Sequence, residues 1–140
     1  MSLGTEQAGM TELNRIRVLL ADDNKAMLSR ITELLSVNCD VVGKMSDGLQ
    51  ALEAAKELKP DILVLDISMP VMSGIETARR LRQANSKTRI VFLSVHDDPE
   101  FMREAMDTGA MGYVIKSCMV PDLSVAIKEV YAGRTFVSSL

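Results

Sequence analysis

Five side chains that can hold a metal ion or a phosphoryl group follow apolar segments of this 140-residue chain. They are Asp22, Asp23, Asp66, Ser94 and Lys116. The segments before them are short and rich in Val, Ile and Leu, which is typical of strands buried on both faces. If those strands are parallel, their carboxyl ends lie at one edge of the sheet, where open α/β sheets bind ligands. The pattern therefore predicts that the five side chains meet in one pocket.

Three carboxylates in one pocket need a counter-cation, because like charges raise one another's pKa. Mg²⁺ suits this set, since it binds one or two carboxylates together with water and a phosphate oxygen. One Mg²⁺ and Lys116 would together cancel the charge of the three aspartates. A carboxylate neutralised in this way could attack a phosphoryl group and form an aspartyl phosphate. The metal ion, Lys116 and the Ser94 hydroxyl would then hold the phosphoryl oxygens.

The elements that must position these residues alternate along the chain. Apolar runs predict five strands, at 16–21, 41–45, 62–65, 89–93 and 110–115, and apolar residues at helical spacing predict a helix after each. Such alternation predicts a parallel sheet covered on both faces, with right-handed crossovers. The fold class that we predict is a doubly wound, flavodoxin-like α/β fold with five strands. The strand order 2-1-3-4-5, which is common in folds of this class, would bring the first strand beside the third.

Composition narrows the class of protein. The length indicates one domain, and the net charge of −3 gives no overall electrostatic case for nucleic-acid binding. The two cysteines, Cys39 and Cys118, have no metal-binding spacing, which indicates reduced thiols in a cytoplasmic protein. No apolar stretch approaches the roughly 20 residues needed to cross a membrane. Residues 1–15 are polar and aperiodic, and we expect a flexible tail, left in part from cloning.

The quoted residues resemble the receiver domain of bacterial two-component response regulators over 16–138. The motifs that carry the resemblance are Asp22-Asp23, Asp66 followed by Ile67-Ser68-Met69-Pro70 and Gly74, then Ser94 and Lys116. The segments 93–98 and 109–116 are most similar to receivers that precede LuxR-type helix-turn-helix domains. The resemblance implies a phosphorylation-activated switch rather than a metabolic enzyme. It implies a sensor histidine kinase as partner, and we add the hypothesis of a homodimer on phosphorylation. DNA contact is expected only through an output domain that is absent from this chain, which is then either a fragment of a longer transcription factor or a stand-alone receiver.

The resemblance also implies a role for individual residues. Asp66 would accept the phosphoryl group. Mg²⁺ or Mn²⁺ would be held by Asp23, Asp66 and the backbone carbonyl of Ser68, with Asp22 acting mainly through water.

The remaining roles concern the response to the phosphoryl group. Ser94 and Tyr113 would form the switch pair, and Lys116 would anchor the phosphate. Ser68 and His96 could tune how fast water reaches the aspartyl phosphate. A simpler reading of Tyr113 is a half-buried ring with a solvated hydroxyl.

Three other classes remain open at this point. A phosphohydrolase of the haloacid-dehalogenase type needs a second Asp two residues after the nucleophile, and that position holds Ser68. A flavodoxin-like electron carrier needs a phosphate-binding loop after the first strand, where Asp22 and Asp23 would repel the flavin phosphate. A structural module that has lost phosphorylation would not require all five positions.

One position departs from the family pattern. Many receivers have Pro after the lysine, in a bond that is commonly cis, whereas this chain has Ser117. We expect a cis Lys116–Ser117 bond. A cis bond to a residue other than proline costs about 3 kcal/mol, and the local fold would have to store this energy as strain.

Overall fold

The computed structural model describes residues 16–139 and contains a single parallel sheet with helices on both faces. Strands and helices alternate from the first strand to the last. The elements are β1 (Arg17–Ala21), α1 (Lys25–Leu35), β2 (Asp40–Met45), α2 (Gly48–Leu58), β3 (Ile62–Leu65), α3 (Gly74–Gln83), β4 (Arg89–Ser94), α4 (Pro99–Met106), β5 (Gly112–Ile115), a 3₁₀ turn (Lys116–Cys118), α5 (Met119–Tyr131) and β6 (Phe136–Val137).

The strand order is β2-β1-β3-β4-β5-β6, and every neighbouring pair is parallel. This confirms the predicted fold class and the order of the first five strands. A sixth strand of two residues lies beside β5 and extends the predicted sheet by one position. The expected flexible tail at 1–15 lies outside the residues that the structure describes.

Two hydrophobic layers cover the sheet, and β3 shows how. Leu63 and Leu65 contribute to the layer under α2, α3 and α4. Ile62 and Val64 contribute to the layer under α1 and α5. Because β3 is central and covered on both faces, all four of its residues are buried, which explains its unbroken apolar run. The strand therefore ends at a fixed place, directly before Asp66.

Side-chain caps begin the first four helices. Each cap oxygen accepts a backbone N–H of the first turn, and the caps are Asn24, Asp47, Ser73 and Asp98 for α1 to α4. A cap of this kind contributes about 1 kcal/mol. All four follow strands at their carboxyl ends, so they also fix the loops that surround the candidate site.

The loop between β3 and α3 is tightly folded. The backbone of Gly74 passes so close to Asp66 that a Cβ at position 74 would lie 2.1 Å from the Asp66 carbonyl oxygen. Earlier in the loop, Val71 has a φ of 70°, and the Met72 N–H donates to the Pro70 carbonyl at 2.7 Å. This is a γ-turn geometry, and a positive φ is strained for a β-branched residue. The strain lies a few residues from the aspartate that the sequence singles out.

The Lys116–Ser117 bond is trans, since no peptide bond in residues 16–139 is cis, and our expectation of a cis bond was wrong. With Ser in place of Pro, the trans form is favoured by about 3 kcal/mol. The chain accommodates it in the 3₁₀ turn, where the Met119 N–H donates to the Lys116 carbonyl.

Within residues 16–139, the structure has no helix whose length and hydropathy would let it cross a membrane.

Candidate functional site

The three aspartates lie together at the carboxyl edge of the sheet. Asp22 follows β1 and Asp66 follows β3, and these strands are paired with Ala21 opposite Leu65. One carboxylate oxygen from each of Asp22, Asp23 and Asp66 lies within 4.8 Å of the others. The structure therefore brings together the acidic residues that the sequence places on two different strands.

Lys116 reaches this cluster from β5, which is two strand spacings, or about 10 Å, away from β3. Its Nζ donates to Asp22 Oδ2 at 2.8 Å and lies 3.6 Å from Asp66 Oδ2. The lysine side chain is only 15% exposed. A solvated surface lysine, the simpler reading of this position, is therefore excluded.

Backbone amides orient the two buried carboxylates. Asp22 Oδ1 accepts the N–H of Asn24 at 2.9 Å, and Asp66 Oδ1 accepts the N–H of Ile67 at 2.8 Å. Each carboxylate thus has one oxygen held by the backbone and the other turned towards Lys116. Asp22 and Asp66 are buried, whereas Asp23 is exposed.

Charge in the cluster is only partly compensated. Burial raises the pKa of Asp66 from 3.8 to about 6, and the neighbouring Asp22 adds to this increase. Lys116 and the Ile67 N–H oppose it without cancelling it. Three clustered carboxylates facing one lysine form an oxygen-rich, net negative site, which fits a hard divalent cation.

The predicted switch residues meet at the backbone of His96. Ser94 is buried at the end of β4, and its Oγ accepts the His96 N–H at 3.2 Å. The Tyr113 hydroxyl donates to the His96 carbonyl at 2.8 Å. The Tyr113 side chain is fully buried, so the reading with a half-buried ring and solvated hydroxyl was wrong. Burial also raises the pKa of Tyr113, which keeps its hydroxyl protonated as a donor.

The two residues predicted to tune dephosphorylation have different surroundings. Ser68 is exposed, two residues after Asp66. The His96 ring is half-buried and packs against Phe101 of α4, with 4.2 Å between ring centroids. His96 therefore has a packing contact that the sequence did not indicate.

Asn24 is a contributor that the sequence reasoning missed. It caps α1 with its side chain and fixes Asp22 with its backbone N–H. The spacing of Asp and Asn two residues apart could have indicated this, because an Asp side chain commonly accepts the N–H two residues on. Asp22 and Asp23 are consequently free of the helix-capping role that is the usual reading of such a pair.

Residues 18–128 match the family model described as the response regulator receiver domain, and the chain belongs to this family of regulatory phosphoacceptor domains. Among curated relatives, the nitrate/nitrite response regulator NarL of Escherichia coli strain K12 is 37% identical over 123 residues. That match covers 86% of this chain and 57% of NarL, so the chain spans little more than half of this relative's length.

Solved structures agree in fold. A two-component response regulator of the LuxR family from Aurantimonas sp. SI85-9A1 matches with a TM-score of 0.82 at 33% identity, over 86% of this chain and 87% of that one. The signal receiver domain of NarL from Mycobacterium tuberculosis matches with a TM-score of 0.83 at 32% identity, over 86% of this chain and 99% of that one. The predicted resemblance to receivers of LuxR-type regulators is thereby confirmed.

The raised pKa of Asp66 predicts a stability effect in metal-free buffer. Above pH 6 the native state bears the cost of the buried charge. As the pH falls from about 6 to about 4, the native state binds more protons than the unfolded state and this cost disappears. Asp66→Asn should therefore stabilise the protein at pH 7.5, by about 2–3 kcal/mol if the full pKa difference is recovered.

Urea unfolding of both proteins in EDTA, at pH 7.5 and at pH 4.5, measures this effect. The stabilisation should shrink at the lower pH. An equal effect at both pH values would show that burial of the charge is not its cause.

Proposed function

We propose that Asp66 accepts a phosphoryl group from the phosphohistidine of a sensor histidine kinase. The observation that supports this most directly is the unequal use of carboxylate oxygens in the cluster. Asp22 Oδ2 is engaged by Lys116 at 2.8 Å, whereas Asp66 Oδ2 is 3.6 Å from the same ammonium. Asp66 thus presents an oxygen that is near a positive charge but not occupied by it, at the end of the central strand.

The chain's own residues prepare this oxygen for attack. With a pKa of about 6, Asp66 is largely ionised at neutral pH and can act as a nucleophile. The Ile67 N–H holds Oδ1, which leaves Oδ2 to form the bond to phosphorus. The bond between phosphorus and the kinase imidazole breaks as this bond forms. Lys116, beside Oδ2, would then bind a phosphoryl oxygen.

We propose Mg²⁺ or Mn²⁺ as the cofactor, held by Asp23, Asp66 and the Ser68 backbone carbonyl, with Asp22 acting through water. Bound there, the ion would neutralise charge on the phosphoryl oxygens. The carboxylate cluster and its excess negative charge support this assignment.

Ser94 and Tyr113 are proposed to convert phosphorylation into movement. If the Ser94 hydroxyl turns to the phosphoryl group, it leaves the His96 N–H, and the His96 backbone loses one of the two hydrogen bonds that it makes to Ser94 and Tyr113. The face formed by α4, β5 and α5 would then change its affinity for a partner, for which a second copy of the chain is our candidate. Phosphorylation biases an existing equilibrium by its different interaction with the two states.

The function of the complete protein is part of the same proposal. Because the relatives are longer, we propose that the receiver controls a DNA-binding output domain in the full-length protein, in the cytoplasm.

Ser68 and His96 are proposed to set the lifetime of the aspartyl phosphate. Rates of aspartyl phosphate hydrolysis, measured in Ser68→Ala and His96→Ala and compared with wild type, would reveal this role.

Phosphorylation at Asp66 is tested with acetyl phosphate and Mg²⁺. We expect the intact protein to gain the mass of one phosphoryl group and Asp66→Asn to gain none. Asp61→Asn is the matched control, because Asp61 lies at the opposite end of β3 and an amide oxygen can still accept the Arg17 N–H. Labelling of Asp66→Asn at the wild-type level would refute the assignment.

The metal assignment predicts a change in thermal stability. Mg²⁺ should raise the melting temperature, since a ligand that binds only the native state stabilises it. Asp23→Asn should remove most of this increase. Asp40→Asn removes an exposed carboxylate at the other edge of the sheet and should behave like wild type. Equal Mg²⁺ responses in all three proteins would exclude Asp23 as a ligand.

The switch is tested by NMR with beryllium fluoride and Mg²⁺. The His96 amide signal should move in wild type and move less in Ser94→Ala. Ser86→Ala is the control, because Ser86 Oγ accepts the Thr88 N–H in the same way at the opposite edge. A His96 shift that is the same without Ser94 would contradict the switch.

Sedimentation of the same samples tests dimerisation, and an unchanged monomer would count against it.

A further inference from the structure

The two-residue strand β6 attaches the C-terminal part of the described chain to β5. The Phe136 N–H donates to the Met111 carbonyl at 3.0 Å, and the Ser138 N–H donates to the Tyr113 carbonyl at 2.9 Å. These bonds place Ser138 beyond β6, next to the end of β5. Ser138 is itself buried, although both of its neighbours, Val137 and Ser139, are exposed.

The Ser138 hydroxyl joins two segments. Its Oγ accepts the N–H of Ile115 at 3.2 Å and donates to Asp122 Oδ2 at 2.7 Å. Ile115 is the residue directly before Lys116, and Asp122 lies in the first turn of α5. One buried hydroxyl therefore connects both ends of the segment that carries Lys116.

The 3₁₀ turn and α5 both begin without a side-chain cap, unlike the first four helices. Lys116 itself is long and has to cross two strand spacings to reach Asp66 and three to reach Asp22, so a small shift at its base changes where its ammonium lies. The place of Lys116 thus depends on how firmly Ile115 and Asp122 are held.

We propose that Ser138 is a positioning residue for Lys116 and that β6 is coupled through it to the phosphorylation site. This inference rests on the proposed function, since it assigns Ser138 a part in presenting the lysine to the phosphoryl group. Coupling of this kind is reciprocal. Loss of the hydroxyl weakens binding of the phosphoryl group, and binding of that group tightens β6 against β5.

The test compares Ser138→Ala with two matched controls. Ser139→Ala removes an exposed hydroxyl from the next residue. Thr108→Val also removes a buried hydroxyl, one that donates to the Ala105 carbonyl. Thr108 lies before β5, at the end of the strand opposite to Ser138. Asp122→Ala removes the partner, and Asp122→Asn retains an oxygen that can accept from Ser138.

The readouts are the affinity for beryllium fluoride with Mg²⁺ and the rate of labelling by acetyl phosphate, well below the melting temperature. We expect Ser138→Ala to lower both about three- to tenfold, the range for losing one typical intramolecular hydrogen bond. Asp122→Ala should have a similar effect, Asp122→Asn a smaller one, and the double alanine variant no larger an effect than either single variant. Both controls should match wild type, even where Thr108→Val loses stability.

Amide hydrogen exchange gives a readout that does not depend on labelling. In wild type, beryllium fluoride with Mg²⁺ should slow exchange at Ile115 and Ser138, and in Ser138→Ala the effect at Ile115 should be lost. Wild-type affinity in Ser138→Ala would overturn the inference, as would an equal loss in Thr108→Val, which would indicate a purely structural role. Failure of the proposed function is distinct, because wild type itself would then not be labelled at Asp66.

Discussion

The ion pair between Lys116 and Asp22 is the contact on which the arrangement of the site depends. It joins the end of β5 to the end of β1 across two intervening strands, with both side chains largely buried. Burying two charges costs several kcal/mol per ion, which their attraction offsets only with good geometry and further hydrogen bonds. The Asn24 N–H that binds Asp22 is one such hydrogen bond. The lysine cannot also neutralise Asp66 and Asp23, so the fold leaves negative charge at this edge.

That residual charge is tolerated because the rest of the structure is firmly packed. β3 is buried on both faces, and the loops around the site are held by caps and by the close approach of Gly74 to Asp66. The unfavourable features, a raised pKa at Asp66 and a positive φ at Val71, are confined to the same few residues. Strain and unbalanced charge commonly collect at functional sites, where the surrounding structure holds them in place.

Much of this could be predicted from the sequence, because the period of apolar residues and the residues at strand ends are local signals. The alternation of strands and helices and the placement of Asp22, Asp66 and Lys116 at strand ends follow from such signals. Features that depend on tertiary packing could not be predicted. β6 is too short to show a pattern, the direction of the Tyr113 ring depends on the space available in the core, and Tyr131, which has the spacing of an inward residue, is 44% exposed.

A different kind of error concerned the bond after Lys116, where the family resemblance outweighed local chemistry. The cis form is inexpensive only before proline, and Ser117 removes that advantage. The trans bond starts a 3₁₀ turn that leads directly into α5. In this chain the family motif indicated which side chains meet at the strand ends, but it did not indicate a backbone conformation that depends on one residue type.

The position of β5 explains how these parts can act together. All four residues of the strand are buried, and close-packed interiors transmit small displacements rather than absorb them. One end of the strand leads to Lys116, and the Tyr113 hydroxyl holds the loop before α4. On its outer side, the backbone of Tyr113 and Ile115 is bonded to Ser138. The same buried strand therefore contacts the start of the lysine segment, the α4 loop and β6, which gives the proposed coupling a structural route.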